Sequence, residues 1–223
     1  MDWSAIALSM RLAAVVSAIL LFIGVPIAYW LTFSRWRWKF LVEAIVALPL
    51  VLPPTVLGFY VLVAIGSRSP IGRLWMAWTG RGLAFTFEAL VIASILYSLP
   101  FAVQPIAAAF SLIDTSLMDA SSILGASRLR TFSRIVVPLS VNGIVTGVVL
   151  SFAHTIGEFG VVLMVGGNLP GVTRTVSISI YDSVQSLNYA AAHRTALLLL
   201  AFSFIALAAI YGLIRKPWMV PHE

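Results

Sequence analysis

Five nearly uncharged, apolar runs alternate with short charged or polar stretches along the chain. Each run is about 20 residues or longer, which is the length that an α-helix needs to cross the hydrocarbon core of a bilayer. Because lipid cannot satisfy backbone N–H and C=O groups, such runs must be helical. The pattern therefore predicts an all-α membrane protein, a single domain over residues 1–223, with spans at approximately residues 12–34, 44–67, 86–112, 138–165 and 195–214.

The composition agrees with a lipid environment. Of the 223 residues, 61% are hydrophobic and 10% are charged, and the mean hydropathy is +1.02, whereas soluble domains carry about 25% charged residues. Cysteine is absent from the sequence, which excludes disulfides, thiolate metal sites and a cysteine nucleophile. The first apolar run is too long for a cleaved signal peptide, so we expect a retained span.

Lysine and arginine predict the orientation, because cytoplasmic loops carry an excess of both. One set of loops holds eight of these residues and the other set holds six. The larger set predicts an outside N-terminus and a cytoplasmic C-terminus, and it assigns the net charge of +6 to topology and not to nucleic-acid binding. The eight are Arg35, Arg37, Lys39, Arg128, Arg130, Arg134, Arg215 and Lys216, and interfacial tryptophans are expected at Trp36, Trp38 and Trp218.

Three prolines, Pro49, Pro53 and Pro54, lie within the second predicted span. Proline removes a backbone donor and its ring clashes with the preceding helical turn. We therefore expect a kink or break near the middle of the membrane. The break serves either helix packing or the lining of a pathway, as irregular segments do in transporters.

A polar segment, residues 114–137, interrupts the apolar pattern between the third and fourth predicted spans. Ser116 and Asp119 have the spacing of a capping box, which predicts a helix start. Gly125 suits the left-handed position that ends a helix, and Ser127 suits the N-cap of a second one. Pro138 is tolerated in the first turn of the fourth span. The segment thus predicts a cytoplasmic helix–turn–helix, and on composition alone a solvated loop with topogenic arginines is the alternative.

The spacing in this segment resembles the signature loop of ABC importer permeases. That pattern is Glu-Ala-Ala, three residues, Gly, nine residues, Ile, one residue, Leu-Pro, and here Asp, Ser and Val replace the Glu, the second Ala and the Leu. The resemblance implies a type I importer permease fold in a prokaryotic inner membrane, in which this loop is the coupling helix that docks on a cytoplasmic ATPase. The residues that it assigns to coupling are Asp119, Ala120, Ser121, Gly125, Arg128, Ile135 and Pro138.

A second stretch, residues 152–185, is similar to the corresponding region of molybdate permeases. It contains Gly-Glu-Phe-Gly followed by Asn-Leu-Pro-Gly-Val-Thr-Arg-Thr, whereas sulfate permeases tend toward Gly-Glu-Tyr-Gly and lack the continuation. The resemblance implies a homodimeric molybdate permease that works with two copies of an ATPase and an extracytoplasmic molybdate-binding protein. ATP and Mg would be bound by the ATPase, since no Walker A lysine follows the glycines of this chain. No cofactor is expected in the chain itself.

Four residues are candidates for the pathway or gate. Glu158 is costly within a membrane, so it is expected to face a pore, a partner or a cation, or to act as a buried post between helices. His154 lies one helical turn earlier, but two side chains do not make a metal site and none is expected. Thr173 and Arg174 either attract an oxyanion or dock a neighbouring helix.

Other functions are weighed against the importer. An ion-coupled secondary transporter is expected to carry ionisable residues on several spans, whereas this chain offers mainly Glu158, with Glu43 and Glu88 near span ends. A membrane enzyme needs a catalytic constellation, and the sequence suggests none. The alternative cargoes are related oxyanions, namely tungstate, sulfate and thiosulfate.

Overall fold

The computed structural model describes residues 2–214, and within them it is entirely helical, without a β-strand. The predicted topogenic and interfacial residues Arg215, Lys216 and Trp218 lie outside the described residues. The helices are α1 (Trp3–Phe33), α2 (Lys39–Val51), α3 (Pro54–Ile65), α4 (Pro70–Thr79), α5 (Phe87–Ser111), α6 (Thr115–Ile123), α7 (Arg128–Thr131), a π-helical turn (Phe132–Val136), α8 (Val137–Leu139), α9 (Val141–Gly157), α10 (Gly160–Gly166), α11 (Val176–Gln185) and α12 (Tyr189–Ile214).

Among the described residues, α1, α5 and α12 are each long and apolar enough to cross a membrane unbroken. Two bent pairs also qualify, α2 with α3 at 113° and residues 128–139 with α9 at 73°, so the count reaches five when each bent pair is taken as one span. The first and last spans begin earlier than predicted, at Trp3 and Tyr189, because a charge does not end a helix. Arg11, for example, continues α1 and places its guanidinium 4.5 Å from the Phe87 ring centroid.

The second predicted span is broken between Val51 and Pro54. Pro49 lies inside α2, whereas Leu52 and Pro53 have extended backbones that separate α2 from α3. Pro54 begins α3, where its missing N–H removes no helical hydrogen bond.

The fourth predicted span, 138–165, is not one continuous helix. Pro138 belongs to the short α8, and the chain bends at Ser140 before α9 begins at Val141. Glu158 then has an extended backbone (φ −68°, ψ 138°), which ends α9 and precedes α10. The hydropathy of this run could not predict the two breaks, since apolar side chains continue on both sides of each.

The core lies where α1, α5 and α9 pack together, and small residues allow the close approach. An added Cβ on Gly147 of α9 would lie 2.7 Å from the Ala102 carbonyl oxygen of α5. Gly143, one turn earlier, faces Ala109 in the same way. These contacts are typical of membrane helices, whose association depends on van der Waals packing more than on the hydrophobic effect.

The break between α2 and α3 lies beside the break between α9 and α10. A Cβ on Gly160, at the start of α10, would lie 2.6 Å from the Cβ of Pro54, at the start of α3. Further along both helices, Gly58 packs against Met164. Two stretches of irregular backbone are therefore placed side by side within the membrane-spanning part of the protein.

Candidate functional site

The polar segment between α5 and α9 forms a helix–turn–helix, and we call residues 114–137 the coupling segment. Its first helix is capped by Asp114, whose Oδ1 accepts a hydrogen bond of 2.9 Å from the Ser116 backbone N–H. The predicted cap at Ser116 is wrong. Asp114 directly precedes the first residue of α6, and its side chain accepts the hydrogen bond from the Ser116 amide. The same hydrogen bond holds the pKa of Asp114 below its ordinary value.

Gly125 makes the turn between the two helices. Its φ of 76° lies in the left-handed region, as the sequence predicts. The backbone N–H of Ala126 donates to the Ser121 carbonyl at 3.0 Å, and that of Gly125 donates to the Ser122 carbonyl at 3.0 Å, which is the hydrogen-bond pattern of a Schellman motif. Ser127 caps α7 by accepting from the Arg130 N–H at 3.3 Å, also as predicted.

The tip of the coupling segment exposes apolar side chains. None of the α6 residues is buried, and Ile123 and Leu124 are each 86% exposed. Leu129 on α7 is exposed beside them, and so are Asp119 and Arg128. Exposed apolar side chains gathered at the tip of a polar segment are typical of a surface that meets another protein or a membrane.

The base of the coupling segment is joined to the membrane core. The Ser121 and Thr131 hydroxyls lie 2.8 Å apart and connect α6 to α7. Phe132, in the π-helical turn that also holds Ile135, packs edge-on against Tyr29 of α1 at 5.3 Å between ring centroids. Val136 is fully buried against α1 and α5. The tip is therefore joined through packed side chains to α1 and to the bend that begins α9.

A second candidate site lies between α5 and α9 within the membrane-spanning part, and we call it the Glu158 cluster. Glu158 is 5% exposed, and its Oε2 accepts a hydrogen bond of 3.4 Å from the Ser94 hydroxyl. The Ser98 hydroxyl lies 2.9 Å from His154 Nδ1 and 3.0 Å from Thr155 Oγ1. The carboxylate thus faces protein and not lipid, and its Oε1 has no hydrogen-bond partner within residues 2–214.

A cleft of about 550 Å³ opens beside this cluster, at the point where the two helix breaks meet. His154 and Glu158 line it together with Pro54, Thr55 and Tyr97. Irregular backbone at membrane depth is tolerated only where it is buried in protein or lines a water-filled cavity. The cleft therefore lies beside the irregular backbone of both breaks.

Thr173 and Arg174 are not part of this cluster. Thr173 is fully buried and donates a hydrogen bond of 2.6 Å to the Gly166 carbonyl. The Arg174 Nη2 lies 3.2 Å from Asp182 and its Nη1 lies 3.8 Å from Asp2. Arg174 thus ties the start of α1 to α11, which favours helix docking over the attraction of an oxyanion.

Sequence reasoning missed the partners that α5 contributes. The partners are Ser94, Tyr97 and Ser98. They lie in an apolar run, and their hydroxyl groups do not form a recognisable sequence motif. The spacing of Ser94 and Ser98, one helical turn apart, was the available signal, since polar residues repeated on one face of a span mark an interface with protein. Within the described chain, no group of three or more His, Asp or Glu residues is placed to hold a metal ion.

A family model described as the inner membrane component of binding-protein-dependent transport systems matches residues 6–217. The chain belongs to this family. The molybdenum transport system permease protein ModB of Azotobacter vinelandii is 51% identical over 212 residues, which is 95% of this chain and 93% of that relative. The ModB protein of Escherichia coli K12 is 36% identical over 185 residues, covering 83% and 81% of the two chains.

Solved structures of ABC transporters share the fold of this binding-protein-dependent permease. An inward-facing structure of the methionine transporter MetNI has a TM-score of 0.72 at 18% identity, over 96% of this chain and 95% of that one. A bacterial alginate transporter in complex with its alginate-bound periplasmic protein has a TM-score of 0.70 at 16% identity, over 96% and 78%. The all-α fold is therefore that of an ABC importer permease, as the spacing of residues 119–138 predicts.

Proposed function

We propose that the chain is the permease subunit of an ATP-driven ABC importer for molybdate. The observation that carries the proposal is the 51% identity to a molybdenum transport permease along 95% of the chain. The fold supports the permease role, since it combines broken spans, a cleft at their junction and an exposed coupling segment.

The coupling segment would dock on a cytoplasmic ATPase through its exposed tip, where Ile123, Leu124 and Leu129 offer apolar contact area. ATP and Mg would be bound by that partner, one copy for each permease chain. Closure of the ATPase dimer on ATP would pull the tip. The π-helical turn and the bend at Ser140 would pass the movement to α9, and so to the Glu158 cluster.

Two copies of the chain would form the pathway. The five spans of one chain would leave the cleft beside the Glu158 cluster open on one side. A second copy of the same chain, related by a two-fold axis, would close it. An extracytoplasmic binding protein would deliver the anion. Selectivity would then reside mainly in that protein, which agrees with a cleft that presents a carboxylate and no arginine among its lining residues.

The orientation follows from the role of the coupling segment, which must share a compartment with ATP. Reporter fusions at residue 125 should report the cytoplasm, and fusions at residues 75 and 174 should report the outside. A periplasmic reporter that is active at residue 125 would contradict the proposed role of the segment.

The proposed function is tested by transport. The chain is reconstituted in proteoliposomes with its ATPase and its binding protein, and the uptake of labelled molybdate is measured with ATP or with a non-hydrolysable analogue. We expect uptake with ATP and none with the analogue. Competition by unlabelled tungstate or sulfate then ranks the alternative cargoes. Uptake that follows an ion gradient without ATP would instead establish a secondary transporter.

A further inference from the structure

The short helix α4 is fixed against the end of a membrane-spanning pair. The Ser69 hydroxyl caps it by accepting from the Gly72 N–H at 2.8 Å, and Gly80, with φ of 72°, ends it. Only four residues separate α4 from Ile65, the last residue of α3, and Gly72 packs directly on the backbone of Ile65 and Gly66. Four residues span at most about 14 Å, so α4 must lie close to the membrane surface.

The fold covers only part of the apolar side of α4. Trp75 is half-buried and packs against the cluster of Val61, Ile65 and Leu83. Ile71, Leu74 and Trp78 lie beside it at the i, i+3, i+7 spacing of one helical stripe, and all three are exposed. Leu74 is 74% exposed and Trp78 is 83% exposed.

Every charged residue in the segment that contains α4 is an arginine. Residues 66–82 contain three arginines and neither Asp nor Glu. Arg81 is engaged by Glu88, with 2.6 Å between Nη2 and Oε1. Arg68 and Arg73 are exposed and have no acidic partner among residues 2–214.

We propose that α4 lies in the membrane–water interface and binds anionic phospholipid. Ile71, Leu74 and Trp78 would be buried at the boundary of the acyl chains, while Arg68 and Arg73 would contact headgroup phosphates. A bilayer is favoured over a soluble protein partner for two reasons. The four residues between α3 and α4 hold the apolar stripe at the end of a span. Arg68 and Arg73, which have no acidic partner among residues 2–214, match anionic headgroups. The proposal does not depend on which anion the permease carries.

The depth of α4 is measured with spin labels, which is direct because the chain has no native cysteine. Leu74→Cys and Trp78→Cys are labelled in nanodiscs, and Met76→Cys, on the opposite face, is the matched control. We expect relaxation by oxygen to dominate at 74 and 78, and relaxation by a water-soluble nickel chelate to dominate at 76. Leu74 and Trp78 are largely exposed and Met76 is 40% exposed, so none of the three belongs to the buried core.

The headgroup preference is measured by native mass spectrometry of protein taken from mixed phosphatidylglycerol and phosphatidylcholine bilayers. The Arg68→Gln/Arg73→Gln variant should retain less phosphatidylglycerol, by about fivefold for each arginine. The Arg81→Gln control should retain as much as the unmodified chain, since Arg81 is already paired.

Three results would overturn the proposal. The first is access of the nickel chelate to residue 78 equal to that at 76. The second is protection of residue 78 only after the binding protein is added, which would make the stripe a protein docking surface. The third is equal retention of phosphatidylglycerol by the double variant, which would remove the role of the arginines.

Discussion

The coupling segment and the Glu158 cluster are both polar regions of an apolar chain, but they are built in opposite ways. The coupling segment is made by contacts of close sequence neighbours: Asp114 with Ser116, Ser121 with Ala126 and Ser127 with Arg130. The Glu158 cluster is made by side chains 56 to 64 residues apart, on α5 and α9. One region is local and exposed, and the other is long-range and buried.

This difference predicts which property each region controls. The tip of the coupling segment buries no side chain, so its substitution should spare the folded state and affect docking. The Glu158 cluster depends on the packing of α5 on α9, so its substitution should affect stability first. The predictions below separate the two properties.

The largest effect is expected where α9 packs on α5, with Gly147→Val. The added side chain meets the Ala102 carbonyl oxygen at 2.7 Å, and overpacking of this kind costs about 1–3 kcal/mol. The thermal unfolding midpoint of purified protein should fall by roughly 2–12 °C. Gly212→Val is the control, because a Cβ there meets nothing within 4 Å. Equal midpoints for both variants would show that α5 and α9 are not closely packed.

Gly125→Val should separate docking from folding. The left-handed backbone costs a non-glycine residue about 1 kcal/mol or more, and no atom lies within 4 Å to be displaced. We expect normal membrane levels, ATPase co-purification reduced by about tenfold, and abolished uptake. Gly125→Asn should restore both, since asparagine tolerates this conformation. If the valine variant co-purified the ATPase at wild-type stoichiometry and showed wild-type uptake, the segment would be a solvated loop without a docking role.

Leu124→Ser tests the exposed tip without altering the turn. Removing an apolar side chain from the centre of an interface costs about 1–2 kcal/mol, so affinity for the ATPase should fall roughly tenfold at an unchanged unfolding midpoint. Leu112→Ser is the control, because Leu112 is 87% exposed but ends α5 at the base of the segment. An equal decrease in affinity for both variants would place the docking surface elsewhere.

The smallest effect is expected from Ser98→Ala in the Glu158 cluster. Its hydroxyl contacts both His154 and Thr155, and hydrogen bonds between membrane helices average about 0.6 kcal/mol. The unfolding midpoint should fall by about 2 °C while ATPase affinity stays unchanged. Ser111→Ala, at the exposed end of α5, should leave the midpoint unchanged. A change in ATPase affinity for Ser98→Ala would mean that the two regions are not separable in this way.

Much of the coupling segment could be predicted from the sequence because its determinants are adjacent residues. The left-handed Gly125 and the Ser127 cap follow from local turn chemistry, and both are present. The helix start was displaced by two residues, from Ser116 to Asp114, since two potential caps compete and pattern alone does not rank them. The uncharged runs likewise underestimated the lengths of α1 and α12, because both helices continue through an arginine near the end of the span.

The sequence by itself determined the helical class, the break near Pro53 and Pro54 and the turn at Gly125. Each follows from hydropathy or from the backbone limits of single residues. Only the tertiary structure decided that Ser94 and Ser98 meet Glu158 and His154, that Arg174 is paired with Asp182 and Asp2, and that the two helix breaks adjoin. These contacts depend on which faces of distant helices pack together, and hydropathy carries no information on that choice when every face is apolar.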